Sequence, residues 1–225
     1  MRFHNRRQAG RELGLRLMEW ASDGELPRLV VLALPRGGVP VAAEVARALG
    51  APLDVLVVRK IGLPGRPETG IGAIVGDDPP LFDQRALEML GLSEDRLVQD
   101  VARERAELER RALLYRGDRA TPDVEGRTVV LVDDGLATGA TARAALRHLR
   151  RPGPARLILA VPVCAPGTAA EMRSEADDVV CLRQPPEFGA VGLWYDDFEQ
   201  VSDDEVIEVL HDHSARSHSP RATEA

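Results

Sequence analysis

The stretch Val129-Val130-Leu131-Val132-Asp133-Asp134-Gly135-Leu136-Ala137-Thr138-Gly139-Ala140-Thr141 passes from an unbroken apolar run into two adjacent acids, then into a turn of small residues and hydroxyls. A short apolar run bounded by turn signals fits a strand buried on both faces. The segment predicts a strand over 128–132, a tight turn, and a helix over 141–149, with both acids at the carboxyl end of the strand. Upstream, the apolar run 29–34 ends in Pro35-Arg36-Gly37-Gly38 and predicts a buried strand and a tight loop. A helix over 39–49, closed by Gly50, and a second strand over 53–58 complete a βαβ unit, hence a parallel pair with a right-handed crossover.

Downstream, strands are expected at 156–163 and 179–182, with a helix over 168–175 between them. A last helix over 202–210 has Ser202 as N-cap and Glu205 completing a capping box. Residues 6–21 place Leu13, Leu17 and Trp20 on one helical face, and residues 93–115 do the same with Leu97, Val101 and Leu108. The charge run 103–111 is expected to be a solvated face. Residues 59–80 are rich in Gly and Pro and poor in core residues apart from 71–75, the mark of a functional lid or a hairpin. Alternating strands and helices give an α/β doubly wound, mostly parallel sheet. The expected organisation is one domain over 1–210 and a disordered tail over 211–225.

With 225 residues, 44% hydrophobic and 29% charged, the chain reads as globular rather than disordered. Its net charge of −7 argues against a general nucleic-acid binder, which needs a basic surface. Apolar runs are too short to span a membrane, and the N-terminus carries charge with no apolar stretch behind it, so a cytoplasmic protein is expected. Cys164 and Cys181 read as reduced core thiols with no partner visible in sequence. The histidines show no metal-ligand spacing.

The 133–141 segment has a chemistry of its own. Small residues at 137–141 let backbone N–H groups approach an anion, the helix N-terminus adds positive potential, and the threonines add hydroxyls. The two carboxylates can accept hydrogen bonds from vicinal sugar hydroxyls or hold Mg²⁺ through water. Adjacent acids repel by roughly 1–4 kcal/mol at about 4 Å, so a fold has little reason of its own to place both there. The combination suits a ribose carrying a 5-phosphate.

These residues resemble the thirteen-residue motif of type I phosphoribosyltransferases that binds PRPP (5-phosphoribosyl 1-pyrophosphate), with Ala140 in place of the usual second Gly. The overall likeness, with Leu34-Pro35-Arg36-Gly37-Gly38-Val39-Pro40 and a Trp-Tyr pair at 194–195, is to uncharacterised bacterial phosphoribosyltransferases. The resemblance implies that Asp133 and Asp134 bind the ribose hydroxyls, and that Ala137, Thr138, Gly139, Ala140 and Thr141 bind the 5-phosphate. It also implies that Arg36, Gly37 and Gly38 form a pyrophosphate loop, with Arg59 and Lys60 reaching the same group. Residues 61–76 would be a flexible catalytic loop, with Glu68 a further contact. A hood over about 183–200 would meet the acceptor through Phe188, Val191, Trp194, Tyr195 and Asp196. Mg²⁺ would be the cofactor, held indirectly by Asp133 and Asp134 through PRPP and water.

The implied reaction is phosphoribosyl transfer to a nitrogenous acceptor, a heterocyclic base, with pyrophosphate release, in a homodimer that engages neither nucleic acid nor membrane. Two departures bear on the acceptor: Ala137 stands where 6-oxopurine enzymes carry an Asp, and 161–166 holds no Lys. The alternative is a non-catalytic PRPP or nucleotide sensor of the same fold; a third option is a phosphoribosyl-handling domain acting in trans within a larger hydrolase system.

Overall fold

The computed structural model describes residues 1–21, 28–117, 119 and 121–217. The chain runs α1 (Arg6–Ala21), β1 (Val30–Ala33), α2 (Gly38–Leu49), β2 (Leu53–Val55), β3 (Val58–Leu63), β4 (Arg66–Val75), β5 (Leu81–Phe82), α3 (Gln84–Leu90) and α4 (Val98–Arg116). It continues through β6 (Thr128–Val132), α5 (Ala140–Arg150), β7 (Arg156–Val163), α6 (Pro166–Met172), β8 (Asp178–Arg183) and α7 (Asp203–Ser217). Tighter helical turns stand at Glu94–Leu97 and Val191–Trp194.

Five strands form a fully parallel sheet in the order β2-β1-β6-β7-β8. The pleat sends Val31, Ala33, Val130, Val132, Ile158 and Ala160 into a core shared with α1, α2 and α7. It sends Val30, Leu32, Val129, Leu131, Leu157 and Leu159 into a second core under α5 and α6. Covering on both faces is why these strands read as unbroken apolar runs. The chain leaves β1 toward β2 on one side and β6 toward β7 on the other. The carboxyl ends of β1 and β6 therefore flank the topological switch point, where doubly wound sheets bind ligands.

The region 53–80 meets expectation in part. The apolar run 53–58 is split: Leu53–Val55 joins the parallel sheet, and Val58 already begins β3. Residues 58–82 form a three-stranded antiparallel sheet, β3-β4-β5. Of the lid and the hairpin expected for 59–80 the structure has the hairpin, extended by a third strand, and the stretch 61–76 likened to a flexible loop lies mostly in β3 and β4. Ile61, Ile71 and Ile74 are completely buried, so the segment contributes to the core despite its glycines. β-branched residues supply strand propensity and anchorage here, while Gly62, Gly70 and Gly72 fall in the paired strands themselves.

Two smaller corrections concern helix ends. α6 starts at Pro166, a residue suited to the first helical turn because it lacks an N–H. α7 continues through residues 211–217, so that part of the expected disordered tail is helical; residues 218–225 lie outside the described residues. The Ser202 cap is in place, its Oγ accepting the Glu205 N–H at 3.1 Å. Among the described residues no helix is long and apolar enough to cross a membrane.

Candidate active site

β6 delivers Asp133 and Asp134 to the floor of a cleft, and the turn that follows is pinned from below. Leu136 N–H donates to Val163 O at 2.9 Å, Ala165 N–H to Leu136 O at 2.9 Å, and Thr168 Oγ1 to Ala137 O at 2.5 Å. Gly139 takes φ +70°, which L side chains rarely adopt, and a Cβ there would lie 2.7 Å from Thr168 Cγ2. Among the described residues, the N–H groups of 138–141 have no backbone acceptor. They sit at the free amino end of α5, where an anion is favoured.

The turn after β1 meets the acids from the other side. Leu34 N–H donates to Val132 O at 2.9 Å, and Gly38 N–H to Leu34 O at 3.1 Å. The Pro35-Arg36 peptide is cis. Gly37 is pressed so closely on Asp134 that a Cβ would stand 2.0 Å from its Oδ2.

Two connected hollows result. A cradle of about 280 Å³ is lined by Lys60, the residues 133–142, Val191 and Phe198. A larger cleft of about 750 Å³ continues from it between the turn after β1, β3 and α4. Lys60, Asp133 and Thr141 line both.

Electrostatics concentrate at the acids. Burial and the adjacent Asp134 push the Asp133 carboxyl well above the ordinary range, opposed by the hydrogen bond from Asp134 N–H and by Lys60 and Arg6. Burial also raises Asp134, and Arg6 opposes it through an ion pair of 2.8 Å. Among the described residues no three His, Cys, Asp or Glu side chains gather closely enough to hold a metal alone. The donors at the cleft floor are hard carboxylate oxygens, which suits a Mg²⁺ ion whose remaining ligands are phosphate oxygens and water.

The structure brings Lys60, Asp133, Asp134, Ala137, Thr138, Gly139, Ala140, Thr141 and Val191 together around the cradle. Other residues singled out in the sequence go elsewhere. Arg36 turns toward Asp203, with Nη1 3.6 Å from Oδ1, and Tyr115 OH donates to the same oxygen at 2.5 Å. Arg59 lines the large cleft but spends its guanidinium on Glu104 Oε2, at 3.0 and 2.7 Å. Phe188 is buried, and its carbonyl accepts the Trp194 indole N–H at 2.8 Å. Tyr195 is buried too and donates its hydroxyl to Asp134 O at 2.6 Å; that burial, with Asp134 nearby, pushes its phenol up. Asp196 is exposed, its N–H bonded to Phe3 O at 2.9 Å. The side chain of Glu68 lies outside the described residues.

The charge run is not simply solvated. Asp100, Arg103, Glu104 and Arg111 of α4 line the large cleft, because α4 packs against β3 and turns one side toward it. The two cysteines also come close to each other: Cys181 on β8 donates its thiol to Arg183 O at 3.1 Å and Cys164, just beyond β7, donates to Ala165 O at 3.3 Å, and the neighbouring thiols lower Cys164 and raise Cys181. Both remain free thiols.

Two residues of the site are not among the contacts expected from sequence. Phe198 lies within the expected hood at 183–200 but outside its expected acceptor contacts, and it is the aromatic that reaches the cradle. Arg6 is the other. Its signal is a local conflict: α1 opens on two arginines with no acid in its first turn, at the helix end where cations are disfavoured.

The paired acids and the free amino end of α5 meet at the switch point of a doubly wound sheet, the place where such folds take ligands. Residues 8–196 match the phosphoribosyl transferase domain model, and the chain belongs to that family. A Mycobacterium tuberculosis protein provisionally named a phosphoribosyl transferase, in strains H37Rv and CDC 1551, is 44% identical over 208 residues, 92% of this chain and 46% of that protein. The chain thus spans about half the length of these curated relatives. The crystal structure of TT1426 from Thermus thermophilus is 43% identical, with a TM-score of 0.78 over 94% of this chain and 99% of that one. AQ2163 from Aquifex aeolicus shares the fold at 12% identity, with a TM-score of 0.53 over 92% of this chain and 85% of that one.

Proposed function

We propose that the chain transfers the phosphoribosyl group of PRPP to a nitrogen acceptor and releases pyrophosphate. The observation that carries this reading is the meeting of the two turns: backbone donors at 138–141 on one side of the paired acids, and Gly37 and Gly38 against them on the other. An anion cradle, a diol-binding acid pair and a second glycine turn match the three parts of one ligand, its 5-phosphate, its ribose and its pyrophosphate.

In this reading the 137–141 turn holds the 5-phosphate. Asp133 and Asp134 accept hydrogen bonds from the ribose hydroxyls, and Lys60 and the 36–38 turn face the pyrophosphate. Asp133 and Asp134 would hold Mg²⁺ indirectly, through PRPP and water, and the ion would supply neutralisation of the leaving group's charge. The acceptor attacks ribose C1 as the C1–O bond to pyrophosphate breaks. Catalysis is then positioning plus stabilisation of developing charge on the leaving oxygens. Val191 and Phe198 form the apolar side of the cradle, against which a heterocyclic acceptor would pack. Ala137 gives the acceptor no carboxylate at that point, which favours an acceptor nitrogen that needs no strong base. We also place the chain in the cytoplasm, as a homodimer serving nucleotide metabolism.

A second reading, a PRPP-binding regulator without turnover, has one observation in its favour: Arg36 and Arg59, the two arginines expected at the pyrophosphate, are each paired with an acid. Pyrophosphate release from PRPP and Mg²⁺ across a panel of heterocyclic bases separates the two. Release with any base supports the transferase. Tight PRPP binding with no release from any base supports the regulator, and absence of PRPP binding removes both.

A further inference from the structure

α1 begins with Arg6 and Arg7, and the two side chains part company. Arg7 is exposed. Arg6 turns inward until its side chain is only 11% exposed. Its Nε donates to Asp134 Oδ2 at 2.8 Å, and its Nη1 donates to Glu199 O at 2.7 Å. The guanidinium carbon lies 3.8 Å from the centroid of the Phe198 ring. One cation therefore joins three things: the acid at the end of β6, the backbone beyond the aromatic cluster, and the aromatic ring that lines the cradle.

The acid it grips is held from every side. Gly37 closes on the same Oδ2, and Tyr195 OH bonds to the Asp134 carbonyl. With Oδ2 accepting from Arg6, Oδ1 accepts no side-chain hydrogen bond among the described residues. The single Nε bond comes from a guanidinium that is itself anchored on Glu199 O and over the Phe198 ring, so it holds the carboxylate oxygen at a fixed place, which a water shell would not do.

We propose that Arg6 is a positioning residue for Asp134, and that through it the cradle distinguishes a pentose phosphate bearing both vicinal hydroxyls from one lacking the 2-hydroxyl. The proposal deepens the phosphoribosyl reading and rests on it. Arg6 touches neither the sugar nor the pyrophosphate; it sets the acid that does. Hydroxyl selectivity should then depend on a residue 128 positions away in sequence.

Calorimetric titration with PRPP, ribose 5-phosphate and 2-deoxyribose 5-phosphate tests it on the full chain. The unaltered chain should prefer ribose 5-phosphate to its 2-deoxy form. Arg6→Gln should weaken ribose 5-phosphate and PRPP by about 10-fold or more, in the range of coupled charged neighbours, and the 2-deoxy sugar by less than about 2-fold. Arg6→Lys should recover part of the preference, and Arg7→Gln should behave as the parent. In an Asp134→Asn background, Arg6→Gln should add nothing further. Should Arg6→Gln fail to fold, Arg6→Lys and Asp134→Asn carry the test, both reducing the preference for the 2-hydroxyl. Equal weakening of both sugars, or a full additional loss on top of Asp134→Asn, overturns the role given to Arg6 and leaves the phosphoribosyl reading standing. An unaltered chain that binds neither PRPP nor ribose 5-phosphate overturns both.

Discussion

The acid wall of the cleft and the cationic wall opposite it are built on different principles. Asp133, Asp134 and the turn to Thr141 ride on β6, which is paired on both edges and covered on both faces. The bonds that pin this wall come from the main sheet and from the helices against it. Arg59 and Lys60 ride on β3, an edge strand of the small antiparallel sheet, and Arg59 is held by an ion pair to Glu104 on α4. One wall is fixed by the backbone and by packing. The other is set in part by charges that an incoming polyanion can compete for. The difference implies that damage to the first wall weakens binding most, whereas damage to the second tunes it.

The largest effect is expected at Asp133, which lines both hollows. Asp133→Asn should reduce PRPP-dependent pyrophosphate release on the order of 100-fold, the scale of losing a charge-assisted hydrogen bond in a partly buried site. The same change should raise the melting temperature at neutral pH, because burial and Asp134 both disfavour the Asp133 charge. A variant that loses activity and also melts lower would mean that the acid is structural. Next comes Gly37→Ala. The new Cβ would stand 2.0 Å from Asp134 Oδ2 and push that carboxylate off Arg6. Such overpacking costs about 1–3 kcal/mol, and PRPP affinity should fall with it. Calorimetry and thermal melting together check the pair of effects.

The same contrast governs how much of the molecule is legible in its sequence. β6 and β7 fall where the apolar runs place them, since a strand buried on both faces leaves an unbroken signature. The cradle was legible because its acids, small residues and hydroxyls are contiguous. The antiparallel hairpin was legible only as one of two alternatives, because its pairing of Val58 with Val75 and Ile61 with Gly72 is a tertiary fact in a stretch rich in glycines and prolines. Likewise, nothing local says that Arg59 will meet Glu104 or that Arg6 will meet Asp134, 128 residues away. The two cysteines, distant in sequence, become neighbours for the same reason: parallel strands bring together segments that a crossover separates.

On the cationic wall the expected changes are smaller and can have either sign. Lys60 is exposed at the junction of the two hollows. Lys60→Ala should weaken PRPP about 10-fold, as for a hydrogen bond to a charged group, with a reduced dependence on salt. Glu104→Gln removes the acid that occupies Arg59. It should tighten pyrophosphate and PRPP by about 2- to 5-fold at low salt, the size of a partly exposed ion pair. If Glu104→Gln instead weakens binding, the Arg59–Glu104 pair is part of the formed site rather than a competitor for it.

The smallest effect tests whether the charge run on α4 belongs to this wall at all. Glu107 pairs with Arg110 and Arg111, three and four residues on, at 2.7 Å each. The Arg110 hydrogen bond foremost, with Arg111 adding to it, draws its carboxyl down from 4.5 to about 2. A depressed carboxylate contributes stability that is fully present above about pH 4.5 and is lost as the pH falls toward 2. Water screens these pairs, so the contribution is about 1 kcal/mol or less. Glu107→Gln should therefore melt about 2–4 °C lower at pH 7, and no lower than the parent near pH 2. Arg111 also lines the large cleft. Releasing it from Glu107 should tighten pyrophosphate slightly at low salt, an increment that disappears in Arg111→Gln. A melting shift with no change in pyrophosphate binding would return this stretch of α4 to the role of a solvated helix face, and confine the cationic wall to β3.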